Sequence, residues 1–356
     1  MIVDAEAGRE FTELVEQHRA ELHAHCYRML GSVHDAEDAL QETFIRAWRG
    51  AAGLRDADSG RSWLYKIATN VCLTELERRR RRVLPHDFSP AAERGTPPGM
   101  PVTESVWLDP YPDQAIGLLA GKAGPEAHYE QRESIELAFV AALQHLPANQ
   151  RAVLILRDVL GFSANEAATM LATSVASINS ALQRARAAVS ERVPERTQQA
   201  NLRALGDRAL QDLVDRYVLA WERCDVSAFT AMLVEDATFA MPPLATWYTP
   251  RDVIAEWART SPLSGAWRWK TVRTQANGQP ALGFYSWDDA AGAYLPFALN
   301  VLTLRGGLIS DVTAFIVRST EATEPEAYQN FPNEPFDASR YSSAFTRFGL
   351  PERIGA

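Results

Sequence analysis

The sequence predicts a multidomain chain: two all-α domains, a helical bundle and a helix-turn-helix, followed by an α+β domain. Three observations lead to this. Apolar residues recur at helical spacing through residues 8–82 and again through 131–192. Between them, residues 83–130 are rich in Pro, Gly and acidic side chains and lack a long periodic stretch, which reads as a linker. From 205 to 320, three helical stretches alternate with and then give way to strand-like runs, with a Gly306-Gly307 hairpin signal between the last two. A Pro-, Phe- and Tyr-rich tail covers 321–356.

The first helix is expected over 10–30, where Phe11, Leu14, Val15, His18, Leu22, Cys26, Met29 and Leu30 approximate one stripe and Gly31-Ser32 ends it. In the second, DAEDALQETFIRAW, Leu40, Phe44, Ala47 and Trp48 are expected on the buried face. Asp38, Gln41 and Glu42, with Arg46 beyond, make a compact acidic-polar stripe. Such a stripe usually serves solubility, but its compactness also fits a protein-docking face. From Arg61 a third helix carries Trp63, Tyr65, Asn70 and Thr74 and is expected to end in the run Arg78–Arg82. Cations suit a helix C-terminus. Arginines that follow aromatic and amide side chains suit phosphate and unpaired bases better, because rings stack on bases and guanidinium groups neutralise phosphate.

The linker contains WLDPYPD, Trp107–Asp113, which fits either a docking segment or a stiff spacer. A helix over 131–145 and another from Gln150 to Asp158 lead into ANEAATMLATSVASINSALQRARAA, Ala164–Ala188. Ser163 and Glu166 form an S-x-x-E capping box at its start. Ala167, Met170 and Leu171 give one stripe, and Thr173-Ser174 can cap a second helix. In that helix Val175, Ile178, Leu182 and Ala185 are expected to face inward. Ala176, Ser177, Asn179, Ser180, Gln183, Arg184 and Arg186 are expected to face out. Short polar side chains early in a helix with Arg further on suit entry into a DNA major groove, although any surface helix pair can look this way.

The net charge of −9 argues against uniform attraction to nucleic acid, but it is unevenly spread. Residues 10–82 hold twelve basic and twelve acidic side chains, whereas 83–131 hold two and seven. The negative charge therefore lies in the linker and the C-terminal half, which leaves DNA binding open to the helical domains. No apolar run approaches the ~18 residues that span a bilayer. The N-terminus lacks the basic and apolar regions of a signal peptide. Cys26, Cys72 and Cys224 are scattered, which points to reduced thiols in a cytoplasmic protein, with neither disulfides nor a zinc site. No cofactor or metal is called for, and no membrane.

The segments DAEDALQETFIRAW, WLYKIATNVCLTELERRRR and Leu146–Val189, in this order, resemble the group IV, extracytoplasmic-function sigma factors of bacterial RNA polymerase. An ordered pair of such matches is far more specific than a lone helix-turn-helix. The resemblance implies a non-enzymatic factor that binds core polymerase through its β′ and β subunits and reads promoter DNA. It implies core contacts at Asp38, Gln41, Glu42 and Arg46, and −10 contacts at Trp63, Asn70, Thr74, Arg78, Arg79 and Arg80, with a flipped base held near Asn70. It implies −35 contacts at Ser177, Ser180, Gln183, Arg184 and Arg186. This chain departs from the pattern at Ala176 and Asn179, where many relatives carry Lys or Arg.

In the C-terminal half, Leu210, Leu213, Val214, Tyr217 and Trp221 mark an amphipathic helix. Val226–Leu233 is a second, Ala237–Met241 a strand and Arg251–Arg259 a third helix. Strand-like runs at 267–273, 281–286, 295–305 and 308–317 are expected to form a curved antiparallel sheet. The order YVLAWERCDVSAFTAMLVEDATFAMPP resembles the SnoaL-like, NTF2-like superfamily, whose members enclose an apolar pocket. The aromatics Trp107, Tyr111, Trp247, Tyr248, Trp267 and Trp287 are candidates for a regulatory pocket or interface, with a small-molecule ligand or intramolecular contact with the sigma domains. Asp236, Asp311 and Tyr248 are the candidates for pocket chemistry, and no His follows residue 145. Two other readings stay open here: a one-component regulator with a ligand pocket, and an NTF2-like enzyme fused to a DNA-binding module.

Overall fold

Ser32 opens the second helix by accepting the Asp35 amide, and Ser163, Ser174, Thr197 and Asp225 do the same for later helices, so these five helix starts follow from short polar caps. The computed structural model describes residues 5–51, 60–99, 101–102, 106–116, 131–317 and 344–355. These fall into two units. One joins Met1–Arg82 to Gln114–Glu195, and the other joins Val83–Asp113 to Arg196–Ala356.

The first unit begins with three helices: α1 (Ala5–Leu30), α2 (Val33–Gly50) and α3 (Gly60–Leu76). Leu22, Cys26, Met29 and Leu30 of α1 are buried against Ala36, Ala39, Leu40 and Ala47 of α2 and Leu64, Ala68 and Cys72 of α3. Trp48 is not on the buried face: it is 46% exposed and meets the Phe11 ring edge-on at 5.1 Å, whereas Thr43 is buried, its hydroxyl satisfied by the Ala39 carbonyl at 2.7 Å. Residues 52–59, before α3, lie outside those described. The helix ends at Leu76, so Arg78–Arg82 lie in the turn and extended chain beyond it, not in its last turn as expected.

Region 136–190 packs against this bundle. Helices α5 (Leu137–Gln144), α6 (Ala148–Leu154), α7 (Ala164–Met170) and α8 (Val175–Ser190) follow the short α4 (Pro85–Phe88) of the second unit, and a π turn over Ile155–Val159 ends α6. The capping box of α7 is formed in both directions, Glu166 N–H to Ser163 Oγ at 3.2 Å and Ser163 N–H to Glu166 at 2.7 Å. Val175 departs from expectation. As the first residue of α8 it is 37% exposed, whereas Ile178, Leu182, Ala185 and Val189 are buried.

The second unit is an α+β cone. Helices α9 (Gln198–Leu205), α10 (Asp207–Glu222), α11 (Val226–Thr230) and α12 (Arg251–Thr260) accompany strands β1 (Leu233–Ala240), β2 (Trp247–Tyr248), β3 (Trp269–Ala276), β4 (Gln279–Asp288), β5 (Ala293–Arg305) and β6 (Leu308–Ile316). The second helix is shorter than expected, and Leu233 already belongs to the strand. The sheet order is β2-β1-β6-β5-β4-β3. It is mixed, not antiparallel throughout: β1 runs parallel to β6, with Phe239 opposite Val312. A first strand separated from the last by helices and a long excursion has no hairpin to force the antiparallel sense. Gly306 and Gly307 both take positive φ at the β5–β6 turn, as the hairpin requires.

The core of this unit is aromatic. Trp221 stands 5.5 Å from Phe229, 4.9 Å from Phe284 and 6.0 Å from Trp269, all at steep ring angles. Helix α9 went unread in the sequence because it is polar. Its glutamines are buried as bond-makers: Gln198 exchanges two bonds with the Leu304 backbone, and Gln199 donates to the Gly278 carbonyl at 2.6 Å. Of the tail, residues 344–355 pack on the sheet, with Phe345 and Leu350 against Gly283 and the Tyr285 hydroxyl donating to the Pro351 carbonyl. The rest of the tail lies outside the described residues.

Candidate nucleic-acid and protein-docking surfaces and an aromatic cavity

The α2 surface is built by what its buried face leaves over. Asp38, Gln41 and Arg46 are exposed, Glu42 is half-buried, and Arg46 donates to Glu42 at 2.7 Å, one turn away. Ile45 and Trp48 stand exposed on the same helix, 47% and 46% respectively. Asp38, Gln41, Ile45 and Trp48 recur at i, i+3, i+7 and i+10, so they share a face. Reading Trp48 as core hid this mixed polar–apolar surface. Its signal was an isoleucine out of phase with the buried stripe.

On α3, Trp63 and Thr74 are half-buried and Asn70 is exposed. Asn70 folds its amide back to the Lys66 carbonyl at 2.7 Å, and Thr74 bonds the Asn70 carbonyl at 2.9 Å. The five arginines divide. Arg79 and Arg82 both clamp Asp35, Arg82 at 2.6 Å, and Arg79 also reaches Glu75 at 3.1 Å. Burial disfavours the Asp35 anion, but the Arg79 and Arg82 hydrogen bonds and charges outweigh it and hold the carboxyl below its ordinary value. Arg78, Arg80 and Arg81 are exposed. The structure thus assigns Arg79 a fixed partner, which the sequence run did not reveal.

On α8, Ala176, Ser177, Asn179, Ser180, Gln183, Arg184 and Arg186 are all exposed on one side. Ser177 is tied to the cap, its amide donating to Ser174 Oγ at 3.1 Å. Arg184 reaches back to Ser180 at 2.6 Å, and Arg186 makes a two-pronged pair with Asp158 at 2.7 and 2.8 Å. A polar knot lies between the region-136–190 helices and the N-terminal bundle. The Arg28 guanidinium donates to Ser134, and Gln144 donates to the Arg28 carbonyl at 3.1 Å. The buried Arg151 donates to the carbonyls of Met29, Gln144 and Leu146 and to the Gln144 side chain. Burial lowers the Arg151 pKa to about 10, still fully charged at neutral pH. The Arg61 guanidinium sits 4.7 Å above the Phe162 ring, whose edge meets Tyr65.

In the second unit, WLDPYP is a docked segment. Leu108 and Tyr111 are fully buried. The Tyr111 N–H donates to Asn277 Oδ1 and the Asn277 N–H to the Tyr111 carbonyl, both at 2.8 Å, and the Gly278 N–H donates to Asp113 at 2.7 Å. Asn277-Gly278, both at positive φ, is the β3–β4 turn. This Asn-Gly pair was a hairpin signal available in the sequence. Further contacts bring in Trp247 and Tyr248. Trp247 Nε1 donates to the Ser89 carbonyl at 2.8 Å, and the Tyr248 hydroxyl donates to the Thr96 carbonyl at 2.9 Å.

A cavity partly open to solvent lies among Trp221, Phe239, Trp257, Trp267, Trp269 and Phe284. Of the aromatic candidates, Trp267 lines it, Trp247 and Tyr248 hold residues 83–113, and Trp107 and Tyr111 belong to that segment. Trp287 does neither: it packs against Tyr294 and under Arg268. Asp236 and Asp311 also lie elsewhere. Asp236 is exposed in β1 and paired with Arg305, and Asp311 accepts from Thr238 at 2.6 Å and Ser310 at 2.7 Å. Strand alternation turns both away from the aromatic interior. Among the described residues, the cavity wall contains no titratable side chain.

Residues 14–82 match the sigma-70 region 2 family and 136–189 the sigma-70 region 4 family, and 214–312 match the SnoaL-like domain. Over 311 residues the chain is 41% identical to the ECF RNA polymerase sigma factor SigG of Mycobacterium tuberculosis, covering 86% of this chain and 81% of SigG. The chain belongs to the extracytoplasmic-function sigma factors. The ECF sigma factor SigE of Mycolicibacterium smegmatis is 30% identical over 186 residues, 51% of this chain and 61% of SigE. The crystal structure of the M. tuberculosis ECF sigma factor SigJ aligns over 86% of this chain and 96% of SigJ, with a TM-score of 0.54 at 22% identity, and shares the fold. As an ECF sigma factor the chain serves RNA polymerase in transcription initiation, which removes the reading as a one-component regulator without a polymerase partner. No helix among the described residues is long and apolar enough to cross a membrane.

Proposed function

We propose that this sigma factor is controlled in cis by its SnoaL-like domain through residues 83–113. The observation that carries this is the docking of that stretch into the second unit, although it is the chain that connects region 2 to region 4. The −10 and −35 elements lie about 25 base pairs apart, or about 85 Å at 34 Å per turn. A compact unit of some 160 residues has a radius of gyration of about 15 Å. Regions 2 and 4 packed on one another therefore cannot meet both elements, and they part before promoter binding. The length of chain released from the SnoaL-like domain then sets how far they separate.

In this reading the α2 face of Asp38, Gln41, Glu42 and Arg46, extended by Ile45 and Trp48, docks on core polymerase in the cytoplasm. Asn70, Thr74, Trp63, Arg78 and Arg80 meet the −10 strand. Arg79 joins them only by leaving Asp35. Ser177, Ser180, Gln183, Arg184 and Arg186 enter the −35 major groove. The SnoaL-like domain acts by binding, not by turnover, and a small molecule in its cavity is the signal. Run-off transcription with purified core polymerase tests the control. Asn277→Ala, which removes the side-chain acceptor for Tyr111, is expected to raise promoter-specific initiation several-fold. Output equal to the wild-type chain would overturn control through residues 83–113.

A further inference from the structure

Beyond Leu76, where α3 ends, the chain runs through the arginines 78–82 before it reaches Val83. Backbone bonds tie the start of this stretch, Glu77 N–H to the Leu73 carbonyl at 3.3 Å and Arg78 N–H to the Glu75 carbonyl at 3.1 Å. Further on, side chains anchor it, and one carboxylate takes two of them. Asp35, in the first turn of α2, gives Oδ1 to Arg79 and Oδ2 to Arg82, whose Nη2 and Nε stand at 2.6 and 3.2 Å. The contact reaches across 47 residues of sequence, so it does not come from pairing along one helix. The side chains of Asp35 and Arg82 are each 12% exposed, and that of Arg79 is 38% exposed. Arg82 is thus the sheltered anchor, and Arg79 lies at the edge of the solvent.

A carboxylate with one guanidinium on each oxygen offers what a backbone phosphate offers, because arginine binds both anions through the same forked geometry. An arginine already held this way adds little to phosphate binding, since the bond it would gain is offset by the bond it must break. Glu75 also meets Arg79, at 3.1 Å, but with its side chain 34% exposed it is the weaker holder. The other promoter-facing element repeats the arrangement: on α8, Arg186 is held by both oxygens of Asp158, at 2.7 and 2.8 Å. Such pairing bears unequally on different strands. A strand fixed in register by its bases uses only the cations that lie opposite its phosphates, whereas an unregistered strand slides until it meets as many as it can. Withdrawing a cation therefore weakens the unregistered strand more.

We infer that Asp35 is a specificity-determining residue of region 2, an internal stand-in for phosphate that keeps Arg79 off the DNA backbone. The −10 strand is then held by its bases and by the remaining arginines. Asp35 touches no base and acts through Arg79, with Arg82 fixing the carboxylate in place. This deepens the proposed −10 contacts and rests on the arginine run facing the strand.

The test uses holoenzyme assembled from core polymerase and the full chain, titrated with a fluorescent oligothymidylate over a range of salt. Each arginine that meets phosphate on a single strand steepens the log–log salt dependence by about 0.7. Arg78→Gln is expected to flatten the slope by about that amount, and Arg79→Gln to change it far less, because Arg79 is already taken. Asp35→Asn, which keeps the shape and removes the charge, is expected to steepen the slope by about 0.7 and to tighten oligothymidylate binding several-fold at low salt. It is also expected to lower several-fold the preference for a single strand carrying the −10 sequence of a promoter found by run-off transcription. Adding Arg79→Gln to Asp35→Asn is expected to cancel the steepening, which a general loosening of region 2 would not do. Should Asp35→Asn fail to fold, Arg79→Gln decides alone, because it leaves Asp35 with Arg82. With Arg78→Gln flattening the slope, any of four results would overturn the stand-in and leave the −10 reading intact: Arg79→Gln flattening it as much, an unchanged slope in Asp35→Asn, steepening that survives Arg79→Gln, or an unchanged preference for the −10 strand. An unchanged slope in Arg78→Gln would overturn the −10 reading of the run and the stand-in with it.

Discussion

The seam between regions 2 and 4 and the core of the SnoaL-like domain are both buried, yet they are made of opposite materials. At the seam Arg28, Gln144 and Arg151 make bonds mostly to backbone carbonyls, beside one ring contact, Tyr65 with Phe162. Water can replace each of those bonds once the seam opens, so their net worth is modest. The SnoaL-like core is held by Trp221, Phe229, Phe239 and Phe284, whose buried area has no substitute in water. The difference teaches which joint is suited to open and which is not.

The largest effect expected is in the aromatic core. Trp221→Ala should cost about 3–5 kcal/mol in the second unit, as large-to-small core changes do, read as an earlier thermal transition assigned to that unit. A loss below about 1 kcal/mol would mean that the core is not the rigid partner of the comparison.

Acid should act on the first unit next. Burial depresses the His25 pKa to about 3, and its Nε2 pairs with Thr69 at 2.9 Å. In the unfolded chain the imidazole takes up a proton near its ordinary 6.5. Its contribution to stability is complete above 6.5 and declines as pH falls toward 3. Between pH 6.5 and 5 the loss is about 2 kcal/mol, measured as denaturant midpoints. Ordinary carboxylates titrate below this window, so His25→Gln should flatten it. Asp35, held ionised by Arg79 and Arg82, adds a further loss only below about pH 4.

Arg151→Met should change stability by only about 1–2 kcal/mol, because it removes a buried charge while orphaning several carbonyls. Its sharper readout is cooperativity: regions 2 and 4 should begin to unfold in separate steps. A single transition would show that the seam is held by more than the knot. The smallest effect on stability is expected from Asp158→Asn. The exposed pair with Arg186 contributes little to folding. Releasing Arg186 should instead tighten the binding of −35 DNA in titrations at low salt, with a steeper salt dependence.

The helical caps, the helix-turn-helix and the Gly306-Gly307 hairpin were legible because each depends on a local rule. Ser163 and Glu166 satisfy one another within four residues, and so needed no tertiary information. What stayed hidden depends on distant partners. Trp48 looks like core by spacing, but it stands half-exposed and meets the edge of Phe11, from another helix. Arg79 looks like a free cation until Asp35, far away in sequence, takes it. Gln198 and Gln199 look like surface residues until the backbone of β5 and the Asn277-Gly278 turn need them. The parallel β1–β6 pairing follows from how the sheet closes, which no window of sequence contains.

The route of the chain between the two units also sets an order of manufacture. Residues 83–113 leave the ribosome before the domain that holds them exists, and β6 follows about two hundred residues later. At 5–20 residues per second this interval lasts roughly 10–40 s. Throughout it, a nascent chain already carries complete regions 2 and 4 and an undocked connection between them. Under the proposed control in cis, restraint therefore arrives last in synthesis, and a chain ended beyond Glu195 but short of β6 is expected to carry both regions without it.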